Sequence, residues 1–164
     1  MTKLLILGGA KCVWDDIASL GIWEHEVAAV NDIGARWKGP LVFWVSLHPR
    51  KLKDWETRRI KNGYPQGYVK YSNRSGYPMV DFVIEDWGGS SGLYAIKIAL
   101  QLGYKDIIIA GMPMDAEQAH YFSKSKKWKE ADGYRKAWLE KYDLIAPYVK
   151  SCSGWTKELL GGPE

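Results

Sequence analysis

Short apolar segments alternate along this chain with segments of helical periodicity, and this alternation most constrains the fold. Continuous apolar runs rich in Leu, Ile and Val are typical of strands buried on both faces of a parallel sheet. The predicted strands are residues 3–7, 27–30, 41–47, 68–71, 80–84, 106–110 and 148–152. The predicted helices are residues 13–20, 49–60, 90–102, 126–146 and 156–160. The pattern predicts an α/β fold, a Rossmann-like three-layer sandwich with a mainly parallel sheet.

The length of 164 residues fits one domain, so we expect residues 1–164 to form a single unit. A hydrophobic share of 46% and a charged share of 26% exclude collagen-like, coiled-coil and wholly disordered chains. No apolar run approaches the ~20 residues that span a bilayer. The first apolar run is too short for a signal peptide, which predicts a cytoplasmic location. Two distant cysteines, Cys12 and Cys152, are interpreted as reduced thiols.

The charge balance bears on the kind of partner. A formal net charge of +4 is mild, which makes a nucleic-acid partner unlikely and suits an anionic small molecule. The sequence also carries nine tryptophans and ten tyrosines, which serve either packing or stacking on a base or sugar. The oligomeric state is left open, with a homo-oligomer as one alternative.

Parallel sheets bind ligands at the carboxyl ends of their strands, so the residues that follow each strand are the first candidates. Gly8, Gly9 and Ala10 follow the first strand, where small residues let backbone N–H groups approach a phosphate or ribose. Asn31 and Asp32 follow the second strand and could contact a base or a ribose hydroxyl. The alternatives are a tight strand-to-helix turn for the first group and a turn cap for the second.

The segment Gly-Gly-Ser-Ser-Gly at residues 88–92 opens the most regular helix pattern in the chain. The unpaired N–H groups of a helix start and the helix dipole together favour an anion. An N-terminal cap needs one serine, whereas this segment has Ser90 and Ser91 as well as Gly92. We therefore predict a phosphate-binding helix start here.

Further polar residues lie at predicted strand ends. His48, after the third strand, could bind phosphate or move a proton, with a helix cap as the alternative. Met112 and Asp115, after the strand 106–110, are predicted to contact the nucleotide. In the loop beyond them, His120 is a candidate general base and Tyr121 a candidate phosphate contact, with an uninvolved surface loop as the alternative. No His, Cys or carboxylate spacing predicts a metal site.

The block SSGLYAIKIALQLGYKDIIIAG at residues 90–111 resembles one in bacterial sialyltransferases of the Campylobacter type, which are glycosyltransferase family 42-like. It also resembles a block of the archaeal 6-hydroxymethylpterin pyrophosphokinase-like family. In both, a Ser-Gly helix start precedes a Leu-Gly-Tyr-Lys turn and a buried strand. Residues 4–10, 30–32, 43–49 and 138–142 resemble sialyltransferase segments in the same order.

The resemblance implies a nucleotide-sugar transferase. It suggests nucleotide contacts at residues 8–10, Asn31 and residues 90–92, with His120 or His48 as the base and Tyr121 on the departing phosphate. The favoured reaction is glycosyl transfer from a nucleotide-activated sugar, with no obligatory cofactor. One alternative is a Mg²⁺-dependent transfer of pyrophosphate from ATP to a pterin-like alcohol. Another is a protein that binds a nucleotide without catalysis.

Overall fold

The computed structural model describes residues 2–115 and 131–164 and contains a seven-stranded sheet. All neighbouring strands pair in parallel, which confirms the predicted α/β class. The strand order across the sheet is β5-β4-β3-β2-β1-β6-β7. The strands are β1 (Leu4–Leu7), β2 (Glu26–Val30), β3 (Phe43–Val45), β4 (Val69–Ser72), β5 (Phe82–Val83), β6 (Ile107–Ala110) and β7 (Val149–Ser151).

Helices connect most of these strands. They are α1 (Val13–Ser19), α2 (Pro49–Lys61), α3 (Ser91–Gln101), α4 (Ala131–Glu140), α5 (Tyr142–Ile145) and α6 (Gly154–Leu160), and a 3₁₀ helix spans Asn31–Ala35. The helix predicted at residues 126–146 is interrupted at Lys141, where α4 gives way to α5. Its predicted first residues, 126–130, lie outside the described part of the chain.

Two apolar cores make the structure three-layered. Successive side chains of a strand point to opposite faces, so Leu4 and Ile6 enter one core and Leu5 and Leu7 the other. The first core is covered by α3, α4, α5 and α6, and Trp138 of α4 is fully buried in it. The second core is covered by α1, the 3₁₀ helix and α2. The three-layer arrangement is therefore as predicted.

Some predicted strands are longer than the observed ones. Residues 41–47 contribute only Phe43–Val45 to the sheet, and residues 80–84 contribute only Phe82–Val83. Leu41 is still buried against the second core although it lies outside the strand. Leu41 is thus buried by tertiary packing without belonging to the strand, a difference that a pattern of hydropathy does not distinguish.

The chain reverses its direction of travel across the sheet at β1. From β1 it proceeds outward through β2, β3, β4 and β5, and then returns to place β6 on the other side of β1. The ends of β1 and β6 meet closely: Gly8 N donates to Ala110 O at 2.8 Å, and Ala10 N donates to Gly111 O at 3.1 Å. Such a topological switch point creates a crevice at the carboxyl edge of a parallel sheet.

In the two described ranges, no helix combines the length and the apolar character needed to cross a membrane.

Candidate functional site

A cavity of about 320 Å³ opens at the carboxyl edge of the sheet, at this switch point. Its wall is built from the segments that follow five strands, together with the start of α3 and one side chain of α4. The lining residues are 8–10, 30–31, 47–48, 73–74, 89–92, 111–114 and Tyr134. The volume falls within the range of small-molecule sites.

Most of the residues singled out in the sequence lie together around this cavity. The lining includes Gly8, Gly9, Ala10, Asn31, His48, Ser90, Ser91, Gly92 and Met112. Asp32 and Asp115 are neighbours of lining residues and do not themselves line the cavity. His120 and Tyr121 lie outside the described residues.

The Asp115 carboxylate, which was predicted to contact the nucleotide, is hydrogen-bonded to other groups of the protein and does not line the cavity. One of its carboxylate oxygens accepts hydrogen bonds from Arg135 Nη2 at 3.1 Å and from the backbone N of Trp155 at 3.2 Å. Arg135 also donates through Nε to Met114 O at 2.7 Å. Asp115 thereby joins the segment after β6 to α4 and α6.

The start of α3 presents backbone donors to the cavity. Ser90 is the N-cap, and its Oγ accepts hydrogen bonds from Leu93 N at 3.4 Å and from Trp138 Nε1 at 3.2 Å. Ser91 Oγ accepts from Leu47 N at 3.4 Å. The backbone N–H groups of Ser91 and Gly92 have no partner in residues 2–115 and 131–164. Because both lie at the positive end of the helix dipole, they can bind an anion.

The small size of Gly92 and Gly8 has a packing cause. A Cβ on Gly92 would lie 2.5 Å from Met112 Sδ, and a Cβ on Gly8 would lie 2.4 Å from Met112 Cγ. Met112 itself is buried. The sequence predicts a close approach by a ligand at these glycines, whereas the structure shows that packing already limits the room for a Cβ, against Met112 at both positions and against the Gly111 carbonyl oxygen, at 2.6 Å, for Gly8.

Asp16 fixes the end of β6 beneath the cavity. This carboxylate is buried, and its Oδ2 accepts hydrogen bonds from Gly111 N at 2.8 Å and from Ser153 Oγ at 2.9 Å. Cys12 Sγ lies 3.5 Å from the same oxygen. Burial raises the pKa of the Cys12 thiol to about 11, a hydrogen bond with Ser153 opposes this rise, and the negative charge of Asp16 adds to it. Its position in the first turn of α1 suits the helix dipole, and no local sequence pattern indicates its contact with the end of β6.

His48 is the exposed first residue before α2, and its side chain forms no cap hydrogen bond. Partial burial lowers the pKa of its imidazole, and the positive charges of Lys51, Arg74 and Arg50 lower it further. The ring is therefore neutral at pH 7 and can accept a proton or a hydrogen bond.

Three further lining residues were not identified in the sequence: Asn73, Arg74 and Tyr134. Asn73 Nδ2 donates to Asp86 Oδ1 at 2.9 Å, and Gly88 N donates to the other oxygen of Asp86 at 2.8 Å. Partial burial would raise the pKa of Asp86, but these two hydrogen bonds, one from its own backbone and the positive charge of Lys97 together outweigh it, and the net shift is downward. Asn73 and Arg74 directly follow β4, so the rule that selected the residues after four other strands would have identified them if it had been applied to β4.

Within residues 2–115 and 131–164, no three His, Cys, Asp or Glu side chains lie together as metal ligands do.

Solved structures with the same fold are sialyltransferases. The chain superposes over its full length on the sialyltransferase CstII from Campylobacter jejuni in complex with the substrate analogue cytidine-5'-monophosphate, with a TM-score of 0.73, 14% identity and 86% of that chain covered. A CST-II complex with a trisaccharide acceptor and CMP gives a TM-score of 0.69 at 14% identity, covering 99% of this chain and 86% of that one. A complex of the Campylobacter jejuni enzyme with CMP-3FNeuAc gives 0.66 at 14% identity, covering 100% and 87%.

Comparisons of the amino-acid sequence identify no related protein. No protein-family model matches the chain, and no curated protein matches it. At 14% identity the structural likeness establishes a shared fold. The chain thus has a sialyltransferase-like α/β fold, with a cavity at the edge of the sheet where such folds bind ligands.

Proposed function

We propose that this chain binds a nucleotide-activated sugar in the cavity and transfers its glycosyl group to an acceptor hydroxyl, as a sialyltransferase-like enzyme. The observation that carries the proposal is the start of α3, where Ser91 and Gly92, whose N–H groups have no partner in the described part of the chain, line a cavity at the switch point of the sheet. The similar structures contain CMP or a CMP-sugar analogue, which supports a nucleotide as the ligand.

The charges around the cavity support a phosphate at this position. The guanidinium of Arg74 and the positive end of the α3 dipole both attract an anion. Small residues after β1 leave the backbone accessible opposite them. A phosphate bound to these groups would leave Asn31 and Asn73 for the nucleoside or the sugar.

In the proposed reaction a histidine takes the proton of the acceptor hydroxyl as its oxygen bonds to the anomeric carbon. The bond from that carbon to the phosphate oxygen breaks, and the nucleotide leaves with the electron pair. His120 is the first candidate for the base and His48, which lines the cavity, is the second. Tyr121 and the α3 start stabilise the negative charge on the leaving phosphate.

A thermal-shift panel tests the proposal directly. The ligands are CMP, UMP, GMP and AMP, their sugar conjugates, and ATP with Mg²⁺. A nucleotide at a hundred times its Kd adds about 2.7 kcal/mol of stability, which raises Tm by about 5–10 °C for a chain of this size. Hydrolysis or transfer of the sugar then separates an enzyme from a binding protein. Stabilisation by ATP and Mg²⁺ alone would favour pyrophosphate transfer, and no shift with any nucleotide would contradict the proposal.

Replacing Ser91 by phenylalanine is expected to abolish CMP binding, because the larger side chain occupies the cavity at the α3 start. Arg74→Gln is expected to weaken binding by about tenfold through the loss of one charge-assisted contact. Arg74 is exposed, so this second variant should leave folding unchanged. Calorimetry measures both affinities, and circular dichroism monitors the fold. Arg50→Gln is the control, since Arg50 is exposed nearby and does not line the cavity. Unchanged CMP affinity in both Ser91→Phe and Arg74→Gln would contradict the proposal that the phosphate binds at this position.

CMP binding is expected to involve proton uptake by His48. The pKa of this histidine is lowered in the unliganded protein, and a bound phosphate would raise it. Affinity should therefore rise as pH falls through the pKa of His48 in the complex, whereas His48→Gln should lack this component. In the folded protein without ligand, the pKa of His48 is lower than in the unfolded chain, so the unfolded chain binds the proton more readily. The contribution of His48 to the free energy of unfolding is therefore present above its ordinary pKa of 6.5 and is lost as pH falls. Calorimetry in buffers of different ionisation enthalpy measures how many protons are taken up on CMP binding. Equal uptake by the unaltered protein and by His48→Gln would show that His48 is not the group that takes up the proton.

A further inference from the structure

Asn31 adopts a backbone conformation that few residues other than glycine adopt. It directly follows β2, lines the cavity and has φ of 59°. In the described ranges, Met114 is the one other non-glycine residue with positive φ. Asparagine tolerates this left-handed region better than most residues, but the conformation still needs support from its surroundings.

The support comes from Trp44, on the neighbouring strand β3. Trp44 Nε1 donates a hydrogen bond to the backbone carbonyl oxygen of Asn31 at 2.7 Å. Trp44 is fully buried in the second core and is not among the cavity-lining residues. Its strand partner is Ala29, two residues before Asn31, so the indole lies beside the point where the chain leaves β2.

The indole is itself closely held by the 3₁₀ helix that begins at Asn31. A Cβ on Gly34 would lie 2.1 Å from Trp44 Cε2, so the ring packs directly on the backbone of that residue. The ring of Tyr68 meets the indole edge to face, with 5.5 Å between the centroids. Because the ring is enclosed on these sides, its N–H has a fixed direction.

The side chain of Asn31 does not provide the anchor. Its Oδ1 is buried and has no hydrogen-bond partner within residues 2–115 and 131–164. The bond from Trp44 to the backbone carbonyl is thus the side-chain hydrogen bond that holds this residue at the start of the 3₁₀ helix.

We propose that Trp44 is a positioning residue of the cavity: its indole N–H holds Asn31 in the left-handed conformation that forms this part of the wall. The identity of the ligand in this inference rests on the proposed function. Nucleotide affinity then depends on a side chain in the core on the far side of the sheet from α3, and the dependence acts through Asn31 alone.

The test replaces Trp44 by phenylalanine, which removes the N–H and keeps an aromatic ring. CMP affinity should fall about tenfold in Trp44→Phe. In an Asn31→Gly background the same change should have no further effect on affinity, because glycine adopts positive φ without support. Trp55→Phe is the matched control, since Trp55 packs against the same core and forms no hydrogen bond with Asn31, so it should change stability without changing affinity. Equal affinity of Trp44→Phe and the unaltered protein, or additive effects in the double variant, would overturn the inference.

A second variant covers the case in which Trp44→Phe does not fold. Incorporating 3-benzothienylalanine at position 44 replaces the N–H by sulfur with nearly the same ring size, and the same loss of affinity is expected. If CMP does not bind the unaltered protein, the proposed function fails, and the positioning role is then read by NMR. The backbone amide shift of Asp32, whose peptide bond contains the Asn31 carbonyl, should change more in this variant than in Trp55→Phe. A change no larger than in Trp55→Phe would contradict the role of Trp44.

Discussion

Arg59→Ala is expected to lower the free energy of unfolding by about 3–5 kcal/mol, among the largest effects of any substitution in this chain. Arg59 lies on α2 and has no exposed surface. Its guanidinium donates to four backbone carbonyl oxygens: those of Pro65 at 2.9 Å, Gly34 at 2.9 Å, Trp37 at 2.5 Å and Gly39 at 2.6 Å. Truncation leaves these acceptors without their partner, the buried carbonyl of Gly34 among them, and creates a cavity.

The neighbouring arginine provides the control for this prediction. Arg58 is exposed on the same helix turn, so Arg58→Ala should change stability by no more than about 0.5 kcal/mol. Arg59→Lys should fall between the two, because an ammonium group cannot reach four carbonyls in different directions. Urea unfolding measures all three variants. A loss in Arg59→Ala as small as that in Arg58→Ala would show that the four hydrogen bonds contribute little.

The burial of Arg59 shows which features of α2 the sequence pattern predicts and which it does not. The spacing of Leu52, Trp55 and Arg59 predicts that these residues share a helix face, and they do face the second core. The same pattern placed Ile60 on that face, yet Ile60 is 47% exposed. Three of the four carbonyls that hold Arg59 lie 20 to 25 residues away in sequence, and hydropathy carries no information on where backbone acceptors will converge.

The candidate site could be located for a more general reason. Parallel strands end at one edge of the sheet, so the rule for strand ends brought Gly8, Asn31 and His48 to one cavity without any knowledge of their contacts. Asn73 and Arg74 were missed because β4 is short and lies among glycines and prolines, so its end was not included. Tyr134 comes from a helix that packs over the cavity, and no local pattern indicates which helix will do so.

Asp16→Ala is expected to lower the free energy of unfolding by about 3 kcal/mol, because two hydrogen bonds to a buried carboxylate are lost. Gly111 N would lose its acceptor inside the protein, and Ser153, the residue before α6, would lose its link to α1. Asp16→Asn can keep the one oxygen that accepts both hydrogen bonds and loses only the negative charge that strengthens them, so it should lose roughly half as much. Asp15→Ala is the matched control, since Asp15 is exposed on the adjacent position of α1 and should change stability by no more than about 0.5 kcal/mol.

Asp16→Ala should also affect the cavity, because Gly111 lines it and follows the strand at the switch point. A Cβ on Gly111 would lie 2.5 Å from Gly8 O, so the two strand ends cannot shift independently. CMP affinity should therefore fall in Asp16→Ala under conditions where the variant is still folded, while Asp15→Ala binds normally. Urea unfolding gives the stability and calorimetry gives the affinity. Reduced stability with unchanged affinity would mean that the wall formed by Gly8 and Gly111 is held by β1 and β6 themselves, and that Asp16 serves only to join α1 and α6 to the sheet.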